Sequence, residues 1–407
     1  MKSLIILSIF SWFSCKPVSS SPIKNNIVLQ ELKVDTTKKI IVGAETISQF
    51  LPDLKGKKIA CVTNQTSIVN GTHLLDYLLQ NKISVKKIFA LEHGIRGKED
   101  AGDKISDGVD DKTGLPIISL YGDHKKPTTA DLKGIDIIFF DIQDVGLRFY
   151  TFISSLHYVM EAAAQDGKEV WVLDRPNPNA HYVDGPIRTK ELESFVGMHP
   201  VPTVYGMTIG EYAKMIKGER WIKGADNLAL KIIPCQNYSH DMKYELPVKP
   251  SPNLPNFRSI LLYPSLCLFE GTIVSVGRGT NKQFQIYGLP NAEKSFKYSF
   301  TPMPNEGAKT PPNNGVLCYG EDLTNIPIND LFAEKRITWQ YYIDAYKAAQ
   351  ASGQEYFLKG NFFDKLAGNF KIREMIIEGK SENEIRASYL KELRQFQMIR
   401  VRYLIYP

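Results

Sequence analysis

The sequence predicts an α/β fold in which a Rossmann-like parallel sheet domain is followed by a smaller α+β C-terminal domain. From about residue 38 to residue 190, short apolar runs rich in Val, Ile and Phe alternate with stretches of helical apolar spacing. This alternation is typical of a parallel sheet covered by helices on both faces. A segment dense in Pro, Gly and Asn at 174–186 then interrupts the pattern, as a long loop or a domain boundary would.

The elements follow in order along the chain. We expect strands at 58–63, 85–91, 117–120, 135–140 and 169–173, with helices at 74–79 and 152–164. Beyond the break we expect a helix at 209–217, a strand at 228–233, strand-like pieces around Ile273 and Tyr319, and helices near the C-terminus. Ser381 and Glu384 have the spacing of a capping box, which predicts a helix from there to about Leu393.

The N-terminus has the layout of an export signal. Lys2 precedes an apolar stretch from Leu4 to Phe13, and Ser14 and Cys15 follow it. Such a stretch is too short to cross a bilayer stably. The layout resembles a bacterial lipoprotein signal with Cys15 as the lipidated residue, although Trp12 and Phe13 depart from the usual pattern. Cleaved secretion without a lipid and an uncleaved N-terminal anchor are the alternatives.

These observations divide the chain into four parts. We expect a signal at 1–15, a flexible Ser/Pro-rich tether at 16–38, a Rossmann-like catalytic domain at 39–190 and an α+β domain at 191–407. The expected protein is exported and is held at a membrane only by an N-terminal lipid anchor, facing the periplasm or the cell surface.

Charge and cysteine usage exclude several classes of partner. Lys and Arg total 50 against 44 Asp and Glu, and the net charge of +6 comes without a basic cluster interleaved with aromatic residues. We therefore expect no nucleic-acid partner. The cysteines after the signal lack the CxxC spacing of zinc sites. In an oxidising compartment they could form two disulfides or stay as buried thiols. They are Cys61, Cys235, Cys267 and Cys318.

Polar side chains follow four of the predicted strands where each strand ends. In an open α/β sheet, ligands bind beyond the C-terminal ends of the strands, so these side chains are candidates for a binding site. A Gly-rich segment in the second half adds two more charged candidates that could close over a ligand. The candidates are Asn64, Glu92, His93, Arg96, Asp141, Gln143, Asp144, Arg148, Asp174, Arg175, Glu270 and Arg278.

Motifs for common cofactors and nucleophiles do not occur. Gly277-Arg278-Gly279 lacks the third glycine of a dinucleotide loop, and Gly97-Lys98 is followed by Glu99, not by the Ser or Thr of a P-loop. GxSxG and HExxH are also absent. We therefore expect no cofactor and no metal. A site rich in carboxylates is typical of glycoside chemistry, in which a carboxylic acid protonates the leaving oxygen and a second group assists from the other face.

Glu92 is the best candidate for the general acid. It ends an apolar strand, and desolvation favours the protonated carboxyl that a general acid needs. Alternatively, Glu92 pairs with Arg96 or caps the following turn. Asp144 could hold a water molecule or a sugar hydroxyl, or it could cap a helix. Arg148 could bind a ligand carboxylate or form a salt bridge to Asp144.

Five motifs in order resemble the exo-β-N-acetylmuramidase family of bacterial cell-wall glycosidases. They are EHGIRG (92–97), FDIQDVGLRFYTF (140–152), DRPNP (174–178), SPNLP (251–255) and FEGTIVSVGRGT (269–280). The resemblance extends from about residue 40 to the end. One departure is Ile95, which stands where we expect Phe in many relatives.

The resemblance implies an active site in the cleft between the two domains and release of N-acetylmuramic acid from the non-reducing ends of peptidoglycan fragments, without a cofactor. Glu92 would be the catalytic acid, and Arg148 or Arg278 would pair with the lactyl carboxylate. The second catalytic group is open among Asp144, Glu270 and the substrate's own acetamido group. The alternative is a non-catalytic lipoprotein that binds peptidoglycan or muropeptides.

Overall fold

The computed structural model describes residues 38–95 and 106–407, and these lie within one compact unit. Cys15, Arg96 and nearly all of the predicted tether lie outside the described residues. The strands are β1 (Lys58–Thr63), β2 (Ile68–Val69), β3 (Thr72–His73), β4 (Ser84–Ala90), β5 (Gly108–Val109), β6 (Pro116–Ser119), β7 (Ile137–Asp141), β8 (Glu169–Leu173), β9 (Ala229–Ile233), β10 (Ile286–Pro290), β11 (Tyr298–Phe300) and β12 (Cys318–Asp322).

The helices alternate with the strands in the first half and are concentrated after β12 in the second. They are α1 (Leu74–Gln80), α2 (Thr129–Leu132), α3 (Phe152–Gln165), α4 (Ile209–Gly218), α5 (Phe257–Leu266), α6 (Ile328–Glu334), α7 (Gln340–Ala351), α8 (Phe362–Ala367), α9 (Phe370–Ile377), α10 (Glu382–Ala387) and α11 (Leu390–Arg400). 3₁₀ helices occupy Gly43–Leu54, Lys190–Leu192, Ala225–Asn227, Cys267–Gly271 and Val401–Tyr403.

A seven-stranded sheet with the order β5-β6-β4-β1-β7-β8-β9 is the centre of the fold. All neighbouring strands in it are parallel except β5 and β6. Both faces of the sheet are covered, because successive residues of β7 enter different cores: Ile138 and Phe140 pack on the side of α3 and α4, whereas Ile137 and Phe139 pack with α1. The predicted α/β fold class is therefore confirmed.

The five predicted strands of the first half and its two helices are all present. The strand expected at 228–233 is also present as β9, and it extends the same sheet by pairing with β8. The strand-like piece expected at Ile273 is wrong as a strand: its neighbours Thr272 and Ser275 form only isolated bridges. Gly277 follows with φ of 77°, a left-handed conformation that ends extended pairing.

The C-terminal part combines an antiparallel sheet, β10-β12-β11, with helices α6 to α11. The capping box at Ser381 and Glu384 is confirmed, but the predicted helix is interrupted between α10 and α11. At the interruption the Ser388 hydroxyl donates to the Ile385 carbonyl at 2.7 Å, a side-chain bond that competes with helix continuation.

Two further properties concern the described residues as a whole. No helix within 38–95 or 106–407 is long and apolar enough to cross a membrane.

The four cysteines in these ranges are buried free thiols, which settles the choice left open between disulfides and thiols for this structure. Burial raises the pKa of the thiols, well above the ordinary value for Cys235 and Cys267.

Candidate active site

A cavity of about 780 Å³ opens beside the C-terminal ends of β4 and β6. Its wall is assembled from distant parts of the sequence: the two strand ends, the turn before α3, helix α5, the segment 270–278, the loop 307–312 and the segment 358–366. Four of the predicted site residues lie on this wall. They are Glu92, His93, Glu270 and Arg278.

Glu92 is half-buried on the cavity wall, and both of its carboxyl oxygens accept a hydrogen bond. The Tyr121 hydroxyl donates to Oε1 at 2.9 Å, and the Thr151 hydroxyl donates to Oε2 at 2.7 Å. Tyr121 follows the end of β6, and Thr151 directly precedes α3. Two donors from separate elements hold the carboxyl group in one orientation, which a proton donor to a bound ligand requires.

The chain turns sharply directly after Glu92. His93 has φ of 70°, and Gly94 has φ of 69°. The Gly94 amide donates to the Leu91 carbonyl at 2.9 Å, which closes the turn. A histidine in the left-handed region is uncommon, and such conformations concentrate at functional sites. His93 is buried and lines the cavity beside Glu92.

Glu270 is the second carboxylate among the described residues of the cavity wall. Arg278 donates from Nε to its Oε1 at 2.6 Å, and the guanidinium lies 5.2 Å from the centre of the Phe284 ring. Burial alone would lower the pKa of Arg278, but the Glu270 carboxylate raises it. Arg278 therefore carries a positive charge on the wall, next to Glu270.

Asp144 does not line the cavity. It is buried and accepts hydrogen bonds from the Tyr205 hydroxyl and, at 2.6 Å, from the Gly146 amide. Burial raises the pKa of Asp144 to about 6, although these hydrogen bonds act in the opposite direction. It does not cap a helix, because α3 begins later, after Thr151. The structure gives no support to direct contact between Asp144 and a ligand.

Three other strand-end residues have partners within the protein and lie away from the cavity. Arg175 forms a buried bidentate pair with Asp141, at 2.6 and 2.9 Å. Asn64 accepts from the Thr66 amide and hydroxyl at 2.9 and 2.6 Å. The strand ends do converge, as the sheet rule predicts. None of the three side chains lines the cavity, and all three are buried.

Gln143, Asp174 and Arg148 also have hydrogen-bond partners within the protein and do not line the cavity. Gln143 donates to the Pro176 carbonyl at 2.7 Å. Asp174 accepts from Thr208, Gly210 and Tyr406 at 2.6 to 2.8 Å. The buried Arg148 guanidinium donates to three backbone carbonyls and forms no salt bridge to Asp144. These carbonyls belong to Pro186, Val201 and Leu366.

The sequence reasoning missed Tyr121 and Thr151, the two residues that hold Glu92. Tyr121 directly follows the third predicted strand, at 117–120, which is the one strand of the first half whose end supplied no candidate. The rule that ligands bind at strand ends applies to Tyr121 as well. Thr151 lies inside the FDIQDVGLRFYTF motif but carries no charge that would attract attention. Within the described ranges, no group of three or more His, Cys, Asp or Glu side chains is arranged to hold a metal ion.

A covered parallel sheet carries a cavity with two carboxylates on its wall, an arrangement typical of glycosidases. Comparison with known proteins agrees. The family described as exo-beta-N-acetylmuramidase NamZ matches this chain with its N-terminal part at residues 59–258 and its C-terminal part at residues 261–406. The chain belongs to this family, and the predicted resemblance and enzyme class are confirmed.

Individual relatives are similar over nearly the full length. The peptidoglycan beta-N-acetylmuramidase NamZ of Bacillus subtilis is 39% identical over 95% of both chains. A crystal structure of a DUF1343 family protein from Bacteroides fragilis matches this chain with a TM-score of 0.83 and 45% sequence identity. The match covers 91% of this chain and 99% of the B. fragilis chain. A second B. fragilis structure of that family has a TM-score of 0.77 at 26% identity and covers 90% and 99% of the two chains.

Proposed function

We propose that this protein is an exo-acting glycosidase that releases N-acetylmuramic acid from the non-reducing ends of peptidoglycan fragments. The observation that carries the proposal is Glu92, a half-buried carboxyl group held by Tyr121 and Thr151 on the wall of a cavity. The name of the B. subtilis relative, a peptidoglycan beta-N-acetylmuramidase, supports the substrate class.

In the proposed reaction, Glu92 is the general acid. Its carboxyl proton passes to the glycosidic oxygen as the bond from that oxygen to C1 of the terminal sugar breaks. A water molecule supplies the hydroxyl that adds to C1, and its remaining proton restores the acid. The products are free N-acetylmuramic acid and a glycan shortened by one sugar.

Glu270 is our candidate for the second catalytic group, because it lines the cavity together with Glu92 and Asp144 does not. Assistance by the acetamido group of the substrate is the other route to the same products. Arg278 uses Nε to bind Glu270, and its terminal amino groups have the chemistry to pair with the lactyl carboxylate of the muramic sugar. Arg148 is not assigned this role, since it is enclosed by backbone carbonyls.

A Glu92→Gln variant tests the proposal. Glutamine preserves the shape of the side chain but cannot donate the proton, so kcat on N-acetylmuramyl-β-1,4-N-acetylglucosamine should fall by about 100-fold or more. Mass spectrometry of the products measures the rate and identifies the released sugar. Glu392→Gln, at an exposed position of α11 away from the cavity, is the matched control and should keep the wild-type rate.

Two results would contradict the proposal. Full activity in Glu92→Gln would remove Glu92 from the acid role. Saturable binding of muropeptides by the wild-type protein without any turnover would favour the alternative, a non-catalytic peptidoglycan-binding lipoprotein.

We further propose that the protein is exported and anchored by a lipid on Cys15. The support is the order of Lys2, the apolar stretch and Cys15 at the N-terminus. An anchor of this kind would hold the enzyme next to the wall polymer that it degrades.

A further inference from the structure

The residues on the wall of the cavity divide into an enclosed part and an exposed mouth. Most of the wall is buried or half-buried, including Leu254, Val274, Val276 and Phe284. The exposed wall residues come from two segments of the C-terminal part. They are Lys309, Thr310, Pro312, Leu358 and Phe362.

Two of these mouth residues are large and apolar. Phe362 is 42% exposed and Leu358 is 45% exposed, and both line the cavity. Single exposed apolar residues are ordinary, but a neighbouring pair at the opening of a cavity forms an apolar surface that is available to a ligand. Phe363 and Leu366, which belong to α8 like Phe362, are buried in the core and fix the helix in place.

The mouth is rigidly attached to the wall that carries Glu270. The Leu358 amide donates to the Gly271 carbonyl at 3.1 Å, and Thr272 pairs with Phe357 as an isolated bridge. A Cβ atom on Gly271 would lie 2.4 Å from the Phe363 nitrogen, so only glycine permits this approach. These contacts fix Leu358 and Phe362 relative to the segment that carries Glu270.

We infer that Phe362, supported by Leu358, binds the leaving sugar of the glycan, the N-acetylglucosamine unit on the reducing side of the bond that is cut. The inference rests on the proposed function. An enzyme that removes a terminal sugar encloses that sugar, and the rest of the glycan must leave through the opening. The first sugar outside the enclosed part of the cavity then lies at the mouth, where the C–H groups on one face of its ring stack against the aromatic ring of Phe362.

Phe362→Ala tests this assignment. Aromatic packing of this kind contributes about 1 kcal/mol, so kcat/KM on N-acetylmuramyl-β-1,4-N-acetylglucosamine should fall by about fivefold. Competitive inhibition by free N-acetylmuramic acid should be unchanged, since that sugar occupies only the enclosed part. Phe362→Trp should restore the rate. Phe370→Ala removes a comparably exposed phenylalanine on α9 that does not line the cavity, and it should behave like wild type.

The outcomes separate this inference from the proposed function. If wild type and Phe362→Ala turn over the disaccharide equally, the mouth does not bind the leaving sugar. If the variant loses disaccharide turnover and inhibition by N-acetylmuramic acid to the same degree, Phe362 contacts the terminal sugar or supports the fold, and the assignment is again overturned. Absence of turnover in the wild-type protein would instead overturn the proposed function itself.

Discussion

Asp144 shows how one buried carboxyl group couples stability to pH. Burial raises its pKa from 3.8 to about 6. Between about pH 4 and pH 6 the folded protein therefore keeps a proton that the unfolded chain has released. The contribution of Asp144 to the free energy of unfolding accordingly falls as pH rises through this window and stays low above it. The shift corresponds to an effect on the order of 3 kcal/mol.

An Asp144→Asn variant, which cannot ionise, should lack this pH-dependent loss. We therefore expect the free energy of unfolding of the variant, minus that of wild type, to increase between about pH 4 and about pH 7, so that the variant gains in relative stability. Urea unfolding at both pH values measures the difference, and the other titrating groups cancel because both proteins contain them. A difference that does not change with pH would show that the Asp144 pKa is not raised.

The location of a candidate residue could be predicted from the sequence only where its position along a strand decides it. Glu92 follows an apolar strand, and that local fact predicts its place at the strand end, on the cavity wall. Arg148 carries an equally suggestive charge, yet its partners include the Leu366 carbonyl, 218 residues away. Whether a guanidinium binds a ligand or backbone oxygens depends on chain segments that no local pattern identifies.

At the scale of secondary structure, the capping box of α10 offers a quantitative test. The Ser381 hydroxyl accepts from the Glu384 amide at 3.4 Å, and the Ser381 amide donates to the Glu384 carboxylate at 2.9 Å. Ser381→Ala should lower the free energy of unfolding by about 1 kcal/mol, whereas Ser381→Asn retains an accepting oxygen and should lose much less. Urea unfolding compares them, and equal stability of Ser381→Ala and wild type would contradict the capping role.

Periodic apolar runs predicted element type well, because burial on both faces of the parallel sheet demands them. β1 and β8 begin and end where expected. Elements whose ends depend on tertiary contacts were harder to predict. The Ile273 region has the composition of a strand, but its extended pairing is limited by Gly277 and by the segments that pack around it.

At the scale of the whole molecule, the C-terminus is tied back to the central sheet. Tyr406 is buried, and its hydroxyl donates to Asp174 at 2.6 Å and accepts from the Cys235 amide at 2.8 Å. The Ile405 amide donates to buried Glu211 at 2.7 Å. Asp174 and Tyr406 are 232 residues apart, so no pattern in the sequence could pair them. These contacts explain why the closing residues, which look like an ordinary apolar tail, belong to the fold.

Tyr406→Phe tests this connection. The change leaves the buried Cys235 amide without its acceptor and removes a donor from Asp174, so the free energy of unfolding should fall by about 2 kcal/mol. Burial already raises the pKa of Asp174 to about 6, and losing the Tyr406 hydrogen bond raises it further. A carboxyl group whose pKa is higher in the folded protein than in the unfolded chain destabilises the folded protein once the pH is high enough to ionise it. The loss of stability in Tyr406→Phe should therefore be larger at about pH 7 than at about pH 4. Urea unfolding at both pH values measures the loss.

The control is Tyr403→Phe, which removes a hydroxyl contact to Glu219 at a half-buried position and should cost less than 1 kcal/mol. Equal losses in the two variants would mean that the C-terminal residues add packing but no structural link to the buried carboxylates.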